Sequence, residues 1–278
     1  MLFLILAIAS SAMIAVLMRL SSDKTRNPLG MLLVNYLVCT ALGCAYADFQ
    51  LLLPREPGYF AALGLGSFNG FIYLASFMLF QHATEKNGVV LSSIFMKLGL
   101  LVPMVLSVLV FREVPSFLQI LGFILAVFAI MLINYRKDRE KNGLAFRLIL
   151  LLILGGCTDA MSKVYEFYGP AALSDQFLAF TFLAALLFCA AAAAAAKEWP
   201  GKQELFFGAL IGIPNFFSSK FLLAALAEVP AVVAYPTFSV ATMLLVTLAG
   251  TLFFREKLNK YQWVALGIIL IALALLNL

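Results

Sequence analysis

Long apolar runs alternate with short polar breaks along the whole chain. Cutting at charged and Pro/Gly-rich breaks leaves ten stretches, near 2–20, 29–47, 58–81, 88–111, 117–134, 146–168, 174–196, 203–227, 229–254 and 261–278. A hydrocarbon layer about 30 Å thick is crossed by ~20 apolar residues in helical form. Only a helix or a closed barrel satisfies its own backbone polar groups in lipid. The pattern therefore predicts an all-α integral membrane protein with ten transmembrane helices. Met1 opens directly into Leu2-Phe3-Leu4-Ile5 without a basic leader, and no small-residue cleavage site follows. The first run is expected to be a retained span.

The pattern also repeats. Glu85, Val89, Val90, Phe95, Leu101, Leu109, Phe111, Arg112, Glu113, Gln119 and Asn134 recur 143 residues later as Glu228, Val232, Val233, Phe238, Leu244, Leu252, Phe254, Arg255, Glu256, Gln262 and Asn277. The longest polar connection, Tyr135 to Gly143, separates the fifth run from the sixth. The expected organisation is a five-helix repeat over 1–135, a basic loop over 136–145 and a second repeat over 146–278. Five is odd, so the second copy enters the membrane from the opposite side. Such inverted-topology repeats place a substrate site near the midplane between them.

Composition narrows the class. Of 278 residues 64% are hydrophobic and 12% charged, against about 25% charged in soluble domains. The formal charge of +5 would suggest a nucleic-acid partner in a soluble protein, but here the basic residues fall in short loops. Arg19, Lys24, Arg26, Lys86, Arg136, Lys137, Arg139, Lys141, Arg147, Lys197, Lys202, Arg255, Lys257 and Lys260 lie on one side, and Arg55 and Arg112 on the other. The positive-inside bias puts the odd-numbered loops in the cytoplasm and both termini outside. Cys39, Cys44, Cys157 and Cys189 fall in apolar runs without a C-x-x-C pair and read as small buried residues.

Several spans carry a polar face. In the third, Gly66, Asn69, Tyr73 and Ser76 follow 3, 4, 3 spacing, which puts them on one side of a helix that must meet protein or water. Gly66 and Gly70 form a G-x-x-x-G, which permits close helix approach. The eighth span repeats the theme with Gly212, Asn215 and Ser219, and Pro214 is placed to kink it. In the sixth, Gly156, Asp159, Lys163 and Glu166 form an inward stripe with i,i+4 and i,i+3 charge pairs. That stripe reads either as a relay for a coupling proton or as a structural ladder of neutralising charges.

Lys97, near the middle of the fourth span, is the sharpest candidate. An ionisable group at that depth costs roughly 2.5–3.5 kcal/mol on insertion scales. It reads as the ligand of a carboxylate or phosphate, with Ser93 one turn earlier, or as the partner of a buried acid such as Asp159. Lys220 sits near the outer end of its span, about 140° around the helix from Asn215, and is expected to snorkel to the headgroups. Tyr235, Pro236, Thr237 and Ser239 match Ser92, Ser93, Ile94 and Met96 across the repeat and suit either a cavity wall or ordinary packing. Enzyme motifs are absent: there is no H-E-x-x-H, G-x-S-x-G or P-loop, and His82 is the single histidine. Solute movement would then be secondary.

The closing units Phe111-Arg112-Glu113 with Gln119 and Gly122, and Phe254-Arg255-Glu256-Lys257-Leu258 with Gln262 and Gly267, carry a resemblance. So do Gly212-x-x-Asn215-Phe-Phe-Ser-Ser-Lys-Phe-Leu-Leu-x-Ala225-Leu226 and Val232-Val233-x-Tyr235-Pro236. The two halves resemble the EamA-like domain of the drug/metabolite transporter superfamily over essentially the whole chain. The resemblance implies a ten-helix inverted-repeat carrier working by alternating access. Its central cavity would be lined mainly by spans one, three, four, six, eight and nine. Many members are drawn with cytoplasmic termini, whereas the basic residues here place both termini outside.

The expected function is secondary transport of a small polar metabolite, anionic or zwitterionic, such as an amino acid, across a cytoplasmic (inner) membrane. Lys97, Asn69, Tyr73, Ser93, Asn215 and Tyr235 are the candidate substrate ligands; Asp159, Lys163 and Glu166 are the candidates for ion coupling. No enzyme activity, metal, cofactor or nucleic-acid partner is expected; the partners are a small-molecule substrate, the lipid bilayer and a coupling proton, the protein being a monomer or homodimer. The alternatives are a flippase for a lipid-linked substrate and a non-transporting membrane assembly or regulatory protein.

Overall fold

The computed structural model describes residues 1–21, 24–52, 54–87, 95–96, 98–133, 145–253 and 260–278, and these contain helices and turns with no strand among them. Among the described residues lie the helices α1 (Leu2–Ser21), α2 (Pro28–Tyr46), α3 (Tyr59–Asn87), α4 (Leu101–Leu109), α5 (Phe117–Ile133), α6 (Ala145–Tyr168), α7 (Ser174–Ala196), α8 (Lys202–Leu226), α9 (Ala231–Phe253) and α10 (Lys260–Leu276). Local chemistry explains several ends. Asn27 caps α2 by accepting from Gly30 N at 2.7 Å, with Pro28 in the first turn, where its missing N–H removes no helical bond. Pro103 likewise falls in the first turn of α4, after a 3-10 turn over Leu98–Leu100. The alanine run of α7 stops at Lys197, which adopts the left-handed conformation.

Among the described residues seven helical segments are long and apolar enough to cross a membrane: Leu2–Ser21, Pro28–Tyr46, Tyr59–Phe80, Arg147–Tyr168, Ala171–Ala196, Lys202–Leu226 and Ala231–Phe253. Leu98–Leu109, Phe117–Leu132 and Trp263–Leu276 are apolar but shorter. The 17 residues of α5 rise only about 26 Å.

The chain divides into two compact units, and each draws on both halves of the sequence. The first comprises Met1–Leu74 and Met161–Ala227. In it α1 packs on α8, and α2 packs on α7 and α8. Small residues make these crossings, as expected where lipid supplies no hydrophobic drive between helices. A carbon added at Gly43 of α2 would sit 2.9 Å from Ala179 Cα, and one at Gly212 of α8 would sit 2.9 Å from Asn35 O. The G-x-x-x-G of α3 lies against α7: a carbon at Gly66 would meet Phe177 O at 2.7 Å, and one at Gly70 would meet Ala184 Cβ at 2.8 Å.

The second unit comprises Ala75–Ala160 and Glu228–Leu278. There α5 packs on α10, and α9 packs on α4, α5 and α10. Ile130, Ala126 and Ala129 of α5 interlock with Ile269, Ala272 and Leu276 of α10, all fully buried, while Ile124, Phe128, Leu270 and Ile271 are exposed, as lipid-facing positions should be. The turn before α4 presses on α6, where a carbon at Gly99 would meet Gly156 N at 2.8 Å. At the repeat spacing of 143, α2 corresponds to α7, α4 to α9 and α5 to α10. Each of these pairs packs together inside one unit.

Candidate functional site

In the first unit the polar face of α3 turns inward. Gly66, Asn69 and Gly70 are buried and Tyr73 is half-buried, its ring 6.2 Å from that of Phe182. Asn69 is only 3% exposed, yet its amide oxygen has no hydrogen-bond partner among the described residues. An orphaned acceptor inside a membrane helix forfeits about 1–3 kcal/mol unless something else fills it. Asn215 of α8 is already engaged. Its Nδ2 donates to Asn35 Oδ1 at 3.2 Å, and next to this bond the Cys39 thiol reaches Gly212 O at 3.3 Å. The amide pair therefore fastens α8 to α2. Asn35, a lone amide in the apolar run of α2, was the sequence signal for this contact and was not among the expected site residues.

The sixth-span stripe resolves into a specific pair. Lys163 Nζ lies 2.6 Å from Glu166 Oε2, with Lys163 buried and Glu166 half-buried. This is the i,i+3 spacing of the stripe. Lys220 corrects the expectation of snorkelling. Its ammonium meets Asp175 Oδ1 of α7 at 2.5 Å and lies 3.8 Å from the centroid of the Tyr46 ring of α2. Within α8 no acid lies within a turn of Lys220; its counter-charge, Asp175, stands 45 residues earlier on another helix.

In the second unit Tyr235 is 1% exposed, and its hydroxyl donates to Asp159 O of α6 at 2.7 Å. Two of the expected residues are thus brought together, through the backbone of one. Thr237 Oγ1 accepts from Asn277 Nδ2 at 3.3 Å, joining α9 to α10. Ser76 and Thr242 are buried hydroxyls without a partner among the described residues. Lys97 and Ser93, the leading substrate candidates, lie outside the described residues.

The repeated Phe-Arg-Glu unit gains a role in its first copy. Glu113 Oε1 accepts from Ala231 N at 3.1 Å and Oε2 from Val232 N at 2.9 Å, so the carboxylate caps the start of α9. Arg112 takes a left-handed φ of 54° to turn the chain there. Glu204 acts similarly in the first unit, where its Oε1 accepts from Arg26 N and Asn27 N at 3.0 and 3.3 Å and ties the start of α8 to the entry of α2.

The chain matches the EamA-like transporter family twice, over residues 1–135 and 141–278. It belongs to that family. It is thus a two-repeat, multi-pass membrane protein of a transporter family, of the drug/metabolite transporter type. An uncharacterized protein of Haemophilus influenzae is 25% identical over 283 residues, covering 96% of this chain and 93% of its own. A solved crystal structure superposes with a TM-score of 0.75 at 13% identity, covering 99% of this chain and 98% of the other. At that identity the likeness concerns the fold alone.

Proposed function

We propose that this EamA-family protein is a secondary carrier, moving a small polar anionic or zwitterionic metabolite across a cytoplasmic membrane by alternating access between inverted repeats. The observation that carries the reading is the Lys163–Glu166 ion pair inside an apolar helix of spanning length. Buried charges within a membrane segment are costly and concentrate on substrate and ion paths. The orphaned Asn69 oxygen adds an unused acceptor in the same unit. Lys97 is the proposed anion ligand, with Tyr73 and Ser93 as further hydrogen-bonding candidates. Asn215 and Tyr235 already hold neighbouring helices through the bonds described above, so their proposed part is to position the helices that carry substrate. The loop charges favour termini outside the cell.

Uptake into sealed proteoliposomes under an imposed solute or proton gradient, without ATP, tests this. The expected result is saturable uptake of an anionic or zwitterionic metabolite that Lys97→Ala abolishes while leaving the protein folded and inserted. Uptake of no member of such a panel, or normal uptake by Lys97→Ala, would overturn the carrier reading or the Lys97 role respectively.

A further inference from the structure

The Lys220–Asp175 pair is unused by the reading above, and it is built differently from the α6 pair. Three helices of the first unit supply it: Asp175 opens α7, Lys220 stands in the last third of α8, and Tyr46 ends α2. The ammonium is held at two points, by Asp175 Oδ1 and by the face of Tyr46. Neither charge is fully enclosed, since 24% of the Lys220 side chain and 31% of the Asp175 side chain are exposed. An ammonium has three donors and a carboxylate about four acceptor positions. Each pole therefore keeps capacity for a further partner.

An aromatic wall stands beside the pair. Tyr46 stacks on Phe216 at 5.6 Å and meets the edge of Phe217 at 5.9 Å, and Phe217 stacks on Phe221 at 5.5 Å. Tyr46 is 45% exposed, so part of this wall is open.

We infer that Lys220, Asp175 and the Tyr46–Phe217 wall form a binding subsite for a zwitterion with an apolar body, an α-amino acid being the simplest such molecule. Charge balance is the reason. The pair is neutral overall but has two fixed poles a few ångströms apart. A net anion gains Lys220 and is opposed by Asp175; a net cation meets the reverse. A dipolar ligand laid antiparallel gains both, its carboxylate on Lys220 and its ammonium on Asp175, without splitting the resident pair. The apolar body then rests on the aromatic rings. This inference rests on the proposed carrier function and narrows its substrate class.

The test is thermal unfolding of the purified full chain with leucine, N-acetyl-leucine and leucinamide, which share one side chain but are zwitterion, anion and cation. Leucine should stabilise the protein with an apparent affinity about tenfold or more above either derivative, the loss of one charged contact being worth at least 1.4 kcal/mol. Lys220→Met and Asp175→Asn should each remove that preference. Lys220→Arg, which keeps the ion pair and the ring contact, should retain it and shows that loss in the other variants is not misfolding. A leucine shift that persists in Lys220→Met and Asp175→Asn would put the zwitterion site elsewhere and leave the carrier reading standing. Equal shifts by all three ligands, or none by leucine in the native chain, would overturn the inference. Proteoliposome uptake across the wider anion panel then decides the carrier reading separately.

Discussion

Replacing Glu113 by alanine removes two acceptors from the start of α9 at once. The native carboxylate spans Ala231 N and Val232 N at 3.1 and 2.9 Å. The next two amides, of Val233 and Ala234, close onto Pro230 O at 3.0 and 2.9 Å. Hydrogen bonds to a charged group contribute about 1.5–3 kcal/mol, and deleting an N-terminal cap costs about 0.5–2 kcal/mol. Both figures describe the same contact, so they are not summed, and about 2 kcal/mol is the expected loss. That corresponds to roughly 30-fold more frequent opening of the first turn of α9. Hydrogen exchange read by mass spectrometry on peptides spanning 228–238 measures it directly. Glu113→Ala should speed exchange there by about that factor while peptides of α7 are unchanged, and Glu113→Gln, with one acceptor oxygen and no charge, should fall between. Exchange in Glu113→Ala within about twofold of the native chain would refute the cap and return the repeated glutamate to an unexplained motif.

Other perturbations test other contacts. Gly70→Leu should collapse the α3–α7 crossing, since even its first carbon would press on Ala184, and detergent-solubilised protein should lose monodispersity; a native elution profile would contradict the crossing. Lys163→Met strands the half-buried Glu166 carboxylate and should destabilise by about 2–4 kcal/mol, whereas Lys163→Met with Glu166→Gln should recover most of it; equal melting of the single and double variants would refute the pair. Tags at the two termini should be labelled by a membrane-impermeant reagent on intact cells, and protection of both would reverse the proposed orientation.

The helices were legible because lipid demands long apolar runs broken by charge, and most observed bounds fall within a few residues of the apolar stretches; the exceptions are α3, which runs on to Asn87, and the fourth stretch, of which α4 covers only Leu101–Leu109. The inward face of α3 was legible too, since Asn69 and Gly66 share one side of a 3.6-residue helix and both are buried. Partners on other helices were not. The sequence of α8 puts no acid within a turn of Lys220, and only the fold brings Asp175 and Tyr46 to it. Asn215 looked like a ligand because a single helix cannot show Asn35 beside it. The Phe-Arg-Glu repeat was plain in sequence, but the target of Glu113 lies 118 residues away, across a turn set by the left-handed Arg112. The compact units cut across the sequence repeats for the same reason: corresponding helices such as α5 and α10 bury their small residues against each other.

The measurement that bears most directly on the carrier function is counterflow in sealed proteoliposomes. Vesicles loaded with unlabelled solute should transiently accumulate labelled solute from outside, above its external concentration, because an alternating-access site returns loaded faster than empty. Accumulation that requires internal substrate is the expected result, lost in Lys97→Ala. Equilibration at one rate with and without internal substrate, or no flux of any anionic or zwitterionic metabolite, would contradict it.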